Sequence, residues 1–195
     1  MKIIGLTGGI GMGKSTAAAA FRRAHVPVFD ADASVHALQR PGGRAIPAIE
    51  AAFPGTTRAG ALDRTALRQA VLADPTALKR LEGIIHPMVK DDERAFLARA
   101  HRAGARMVVL DVPLLFESWG HRKLDKAVVV SAPRSVQIHR VRLRRRMTAA
   151  DVEAVIARQM PDAEKRRRAD VVIRTGLSRY HTLRALKRLI RELRA

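Results

Sequence analysis

The sequence contains no cysteine, one tryptophan and one tyrosine. The first absence removes disulfide frameworks, thiolate-bound zinc, iron–sulfur clusters and thiol nucleophiles. The shortage of aromatics removes the stacking platforms on which single-stranded nucleic acids are held. It also leaves the core to aliphatic side chains, since aromatics are 4% of residues while hydrophobic residues as a whole are 47%. No apolar run reaches the ~20 residues of a membrane-spanning helix. The N-terminal apolar stretch is short and runs straight into glycines, unlike a secretory leader. A cytoplasmic protein with no membrane partner is therefore expected. None of the seven histidines falls in a zinc-binding spacing such as H-E-x-x-H. Acidic residues are scarce as well, 18 against 37 basic, a formal net charge of +19. That excess is either a solvated basic surface or a field that draws in polyanions such as nucleotides and phosphorylated cofactors. Charge alone does not choose between them.

What is present is an alternation of apolar runs and helical patterns. Residues 2–7, 26–30, 106–111, 126–131 and 170–174 read as strands rich in Val, Ile and Leu, with continuous rather than alternating apolar character. Such strands are covered on both faces, which predicts a parallel sheet between helices. Residues 14–25 have helical composition, and 178–193 close the chain as a basic amphipathic helix. The segment between the second and third strands is too long for a simple crossover. It carries helical patterns at 63–73, 75–85 and 86–102, the first beginning at a cap, Asp63, with turns at 41–43 and 53–60. A helical pair at 148–159 and 161–169 precedes the fifth strand, with Thr148 as N-cap and Asp151 in the capping-box position.

Gly8-Gly9-Ile10-Gly11-Met12-Gly13-Lys14-Ser15 fits G-x-x-x-x-G-K-[ST], between a predicted strand and a predicted helix. Glycines let the backbone wrap a phosphate with successive N–H groups pointing inward, and the helix start adds its positive dipole end. Lys14 reaches the β- and γ-phosphates, the Ser15 hydroxyl is a ligand for Mg²⁺, and Thr16 lies near the α-phosphate. ATP and Mg²⁺ are thus the expected donor and metal. Asp30-Ala31-Asp32 follows the second strand, at the rim shared with the phosphate loop. Asp30 reads as a helix cap and Asp32 as the carboxylate that takes a proton from an incoming hydroxyl. Asp111 ends a Walker-B-like strand, where it either holds Mg²⁺ through water or simply enters the turn before Pro113.

The phosphate loop and Asp30-Ala31-Asp32 resemble the opening of the dephospho-CoA kinase family. Further segments are similar to it in order: Leu62-Asp63-Arg64, Leu81-Glu82-Gly83-Ile84-Ile85-His86-Pro87, Asp111-Val112-Pro113-Leu114-Leu115-Phe116-Glu117, Gln137-Ile138-His139-Arg140, Gln159 and Ala169-Asp170-Val171-Val172-Ile173. The resemblance covers essentially the whole chain. It implies an α/β P-loop fold with a five-stranded parallel sheet, a helical acceptor-binding region and a helical lid. Within one domain of residues 1–195, the core would be 1–32, 104–140 and 169–195, the helical region about 33–103 and the lid about 141–168. The implied reaction moves the γ-phosphoryl of ATP to the ribose 3′-hydroxyl of dephospho-CoA, with Asp32 as general base. Gly9, Ile10, Gly11, Met12, Gly13, Lys14, Ser15 and Thr16 would hold the ATP phosphates. Arg140 would face them from the lid hinge, with Arg144 one turn on along the same face, while Arg142, Arg145 and Arg146 read as solvated. Thr175 and Gly176 would lie near the adenine; here Arg174-Thr175-Gly176 replaces the family's frequent Asp-Asn. Met12 likewise replaces a usual Ser. Pro113, Leu114 and Glu117 would meet the acceptor, Glu117 alternatively orienting a basic residue. Arg64 either binds a CoA phosphate or extends a helix, and His86 is either a substrate contact or a turn residue. Residues 165–168 read as solvated surface. The expected partners are small molecules only, with no nucleic acid and a monomer or weak homo-oligomer. A different nucleotide or nucleoside kinase, or a nucleic-acid ATPase, remains an alternative, whereas the absence of N-K-x-D argues against a GTPase.

Overall fold

The structure is a computed structural model that describes residues 1–117, 124–145 and 148–194, the side chains of Arg144 and Arg145 excepted. The chain divides into two compact units, Met1–Asp30 with the chain from Arg99 onward, and Ala31–Ala98.

In the first unit, β1 (Lys2–Thr7) lies between β5 (Met107–Asp111) and β6 (Lys126–Ser131), with β2 (Val28–Asp30) outside β5 and β7 (Val171–Arg174) outside β6. All pairings are parallel. The helices α1 (Lys14–Arg23) and α9 (Arg179–Arg194) cover one face, where Ala17, Phe21, Leu186 and Ile190 pack on Ile4, Leu6, Val109, Val128 and Val130. Val108, Leu110 and Val129, which point the other way along the strands, are at most 1% exposed. Both faces are therefore covered, which is why the strands lack polar alternation. Because β1 has a neighbour on each side, the chain leaves it in opposite directions. The strand ends diverge there into the crevice in which α/β sheets bind ligands. The elements α6 (Arg134–Arg145), α7 (Ala149–Ala157) and α8 (Asp162–Arg168) connect β6 to β7, and α7 opens with the expected Thr148–Asp151 capping box.

The boundaries differ from expectation at β2 and α1. The helix stops at Arg23 because His25 takes a left-handed φ of 53°, and β2 starts only at Val28.

The second unit holds α2 (Ala31–Leu38), α3 (Ile46–Ala52), the hairpin of β3 (Thr57–Arg58) with β4 (Ala61–Leu62), α4 (Arg64–Ala73) and most of α5 (Ala77–Arg102). Asp63 caps α4 as expected, accepting the Thr65 and Ala66 N–H groups at 3.0 Å each. Two expectations fail here. The patterns at 75–85 and 86–102 are one helix, α5, with Pro87 inside it. The carbonyl that Pro87 leaves without a helical donor belongs to Gly83, and both residues are exposed, so water serves it. The turn at 53–60 contains part of a hairpin, whose central residues Ala59 and Gly60 have φ of 49° and 75°, the signs a type I′ turn needs.

Candidate active site

The phosphate loop is shaped by its dihedral angles. Gly11 and Gly13 have φ of 74° and 93°, left-handed values that only glycine adopts without strain. Gly13 is also the N-cap of α1, and no side chain among the described residues caps that helix. The first-turn N–H groups of Lys14 and Ser15 are thus left for an anion, while those of Thr16 and Ala17 bond to the Gly13 carbonyl. Met12 turns inward: it is 3% exposed, and its Sδ accepts the Ala132 N–H at 3.1 Å. The loop surface there is backbone.

Lys14 Nζ lies 2.8 Å from Asp111 Oδ1, whose side chain is 4% exposed. Burial pushes the Asp111 carboxyl up from its ordinary value, the Lys14 ammonium pulls it back, and nearby Asp30 adds to the rise. Asp30 itself pairs with Arg22 Nη2 at 3.4 Å. Asp111 is therefore the partner of the loop lysine rather than a plain strand-end turn. Ser15 is exposed and Thr16 half-buried. No cluster of three or more potential metal-ligating side chains occurs among the described residues. That donor set is compatible with Mg²⁺ carried on nucleotide phosphates, which needs only one or two protein oxygens; Ser15 and Asp111 are the residues placed to offer them.

Thr175, 4% exposed, donates its hydroxyl to the Met12 carbonyl at 2.7 Å. Arg140 grips Thr175 with both arms of its fork, Nη1 to Oγ1 at 3.2 Å and Nη2 to the carbonyl at 2.6 Å. Arg140 was expected to face the phosphates; its guanidinium is committed to Thr175 instead. The reason is that the buried Thr175 carbonyl needs a donor once β7 ends. The side chain of Arg144 and the whole of Arg146 lie outside the described residues. A cavity of about 660 Å³ opens beside the loop, bordered by Gly9, Met12, Pro133, Gln137, Gln159 and Gly176.

The segment after β5 also departs from expectation. Lys165 is not solvated: its side chain is 1% exposed and its Nζ lies 2.7 Å from Glu117 Oε1. Glu117 also accepts the Met160 N–H at 3.1 Å, so it orients a basic residue and the corner between α7 and α8. The Pro113 carbonyl accepts from Thr7 Oγ1 at 2.9 Å and faces Lys165 Nζ at 3.4 Å, while Leu114 is 38% exposed. Nothing in the run Lys165-Arg166-Arg167-Arg168 marks its first residue as buried, so sequence reading missed it. Gln137 and Gln159, noticed only through resemblance, both bond to Ile10.

In the helical unit, Asp32 is exposed in the first turn of α2. Arg64, the first residue of α4, is exposed with Nη2 3.4 Å from His36 Nδ1. His86 is half-buried in mid-α5, not at a helix start. Asp92 accepts the Ser34 hydroxyl at 2.7 Å and pairs with Arg44, beside a cavity of about 270 Å³ that Arg40, Gly42 and Gly43 also line.

A glycine-rich loop at the switch point of a parallel sheet, an uncapped helix behind it and a lysine held on a strand-end aspartate define a P-loop phosphotransferase. The dephospho-CoA kinase family model matches residues 2–178. The dephospho-CoA kinase of Paramagnetospirillum magneticum is 60% identical over 85% of this chain and 78% of its own length. That of Gluconobacter oxydans is 52% identical over 100% of this chain and 98% of its own. Among solved structures, TT1252 from Thermus thermophilus has a TM-score of 0.84 at 38% identity, covering 98% of this chain and 97% of that one. The dephospho-CoA kinase from Campylobacter jejuni shares the fold, with a TM-score of 0.74 at 22% identity over 99% and 98% of the two chains. The chain belongs to the dephospho-CoA kinase family. Its activity is that of the family, an ATP-dependent phosphotransfer to the ribose 3′-hydroxyl of dephospho-CoA. No described helix is long and apolar enough to cross a membrane.

Proposed function

We propose that the transfer is in line, with the donor held by the loop and the acceptor activated by Asp32. The backbone N–H groups of Gly11, Gly13, Lys14 and Ser15 bind the ATP phosphates, those of Met12 and Thr16 being bonded within the loop, and Lys14 moves its ammonium from Asp111 to the β- and γ-phosphates, where its charge opposes that of the transferring group. Ser15 and Asp111 would hold Mg²⁺, which when bound neutralises charge on the same phosphates. Asp32 accepts the proton of the 3′-hydroxyl as the new P–O bond forms and the bond to the ADP oxygen breaks. Its exposure and its place two residues past the end of β2 support that role. Arg140 acts as a positioning residue, fixing Thr175 and through it Met12 in the loop.

Residues 31–98 hold the acceptor in this reading, with Arg64 and His86 as contacts, and about 141–168 act as a lid that keeps water from competing with the sugar alcohol. Thr175 and Gly176 border the adenine, and Pro113 and Leu114 the acceptor.

The observation that carries the reading is the Lys14–Asp111 pair beneath an uncapped α1, a charge held ready for a phosphate. The test is ADP release with a panel of acceptors: dephospho-CoA, adenosine, AMP, a 3′-deoxy analogue and none. Release is expected with dephospho-CoA alone. Equal release with AMP or with no acceptor overturns the acceptor assignment.

A further inference from the structure

One residue of the phosphate loop, Ile10, is held by side-chain amides through the two consecutive peptide groups that flank it. Gln137 Nε2, from α6, donates to the Ile10 carbonyl at 2.8 Å, and Gln159 Oε1, just past α7, accepts the Ile10 N–H at 3.1 Å. The two partners fix which way each amide points, since a carbonyl requires the NH₂ end and an N–H requires the oxygen end. Both amides converge on the backbone at Gly9: a Cβ there would come within 3.2 Å of Gln159 Oε1 and 3.3 Å of Gln137 Nε2. A side chain at position 9 would crowd both amides, which would have to give by a few tenths of an ångström.

The clamp has foundations of its own. Gln137 is 2% exposed, so its rotamer is set by packing. Gln159 is half-buried, but the next residue, Met160, has its N–H on Glu117, and Glu117 in turn is paired with the buried Lys165 of α8. The corner between α7 and α8 is therefore pinned to the segment after β5, and Gln159 reaches the loop from that pinned corner.

We propose that Gln159 and Gln137 are positioning residues for phosphoryl transfer, holding the two peptide groups on either side of Ile10 so that the loop's phosphate-binding amides downstream keep one orientation. The Ile10 N–H is engaged by Gln159 and is not itself a phosphate donor; the next peptide group, held by Gln137 at the Ile10 carbonyl, carries the Gly11 N–H, and the two together are the strut on which the later amides are built. Donors aimed before the reaction need no reordering as charge develops on the transferring group, and that benefit is lost when the strut can rotate. Charge on the transferring group grows in the transition state, where amide aim matters most, and Lys14 carries part of ground-state binding, so loss of the strut falls on turnover more than on affinity.

The proposal rests on reading the loop as the ATP cradle, and an exchange measurement made without nucleotide tests the clamp apart from that reading. Gln159→Met keeps length and apolar packing but removes the acceptor, whereas Gln159→Glu keeps an acceptor oxygen. In the full chain without ATP, amide hydrogen exchange at Ile10 is expected to accelerate at least tenfold, as an order of magnitude, in Gln159→Met and to stay protected in Gln159→Glu, with melting temperature unchanged. With ATP and dephospho-CoA, Gln159→Met should lower kcat about tenfold while the equilibrium Kd for ATP changes less than about threefold. Unchanged exchange at Ile10 in Gln159→Met refutes the clamp. Faster exchange with unaltered kcat refutes its role in the reaction. A fall in kcat accompanied by an equal loss of ATP affinity or of melting temperature shows a structural role only and also overturns the proposal.

Discussion

The candidate site residues of the two units differ in exposure, although the helical unit too buries polar groups such as Glu93 and Thr56. Around the phosphate loop several polar side chains are buried and hydrogen-bonded, Asp111 3% exposed, Gln137 2%, Lys165 1% and Thr175 4%, while Ser15 is exposed. In the helical unit Asp32 and Arg64 are exposed and His86 is half-buried. The donor side is preorganised because a triphosphate arrives with a fixed shape and dense charge, and donors aimed in advance need no reordering. If the helical unit holds the acceptor as proposed, its exposed Asp32 and Arg64 would have their geometry completed by the ligand.

The largest way to break this contrast is at the exposed base. Asp32→Asn should cut kcat by about a thousandfold, within the range lost when a general base is removed. Isothermal titration should find ATP affinity within about twofold of the parent. Near-normal turnover in steady-state assays removes Asp32 from its role.

A buried pair should respond in stability rather than chemistry. Lys165→Met leaves Glu117 without its cation, and breaking such a pair costs roughly 3 kcal/mol, or about 6–12 °C in Tm for a chain of this size. Adding Glu117→Leu should restore part of the loss, because the orphaned charge then disappears; thermal melts of both variants check it. A double variant no more stable than Lys165→Met contradicts the ion-pair account.

Thr175→Val keeps the volume but removes the hydroxyl that links Arg140 to the Met12 carbonyl. A rise of about fivefold in KM for ATP is expected from one buried hydrogen-bond link, with folding intact. Unchanged KM in initial-rate assays shows that the link does not reach the loop.

The smallest effect lies in the helical unit. Backbone N–H groups of Ala66 and Thr65 hold the Asp63 carboxyl below its ordinary value, against a smaller opposing effect of burial. The folded state thus binds that proton more weakly than the unfolded chain. The cap's contribution is complete above the unfolded value of about 4 and is lost as pH falls through the depressed folded value. Melts across about pH 2 to 7 should show Asp63→Ala less stable than the parent near neutrality, with the difference shrinking at the acid end. A constant gap contradicts the cap as its source.

Much of the sheet unit was legible in sequence because its causes are local. Lys2–Thr7, Met107–Asp111 and Lys126–Ser131 are apolar runs of strand length, and Gly8–Ser15 is a motif whose backbone shape follows from its glycines. The Asp63 and Thr148 caps were readable for the same reason. What escaped depends on partners distant in sequence. Lys165 sits in a basic run, and only Glu117, far up the chain, makes it a buried residue. The resemblance places Arg140 at the phosphates, whereas in the structure its guanidinium bonds to the hydroxyl and carbonyl of Thr175, a partner distant in sequence. Pro87 was taken as a helix start, yet an exposed Gly83 lets α5 continue through it.

The most direct test follows the phosphorus atom itself. ³¹P NMR of ATP, dephospho-CoA and the chain with Mg²⁺ should show a 3′-phosphomonoester resonance growing in step with ADP. Growth of inorganic phosphate alone, or of a phosphate on any other hydroxyl, contradicts the account.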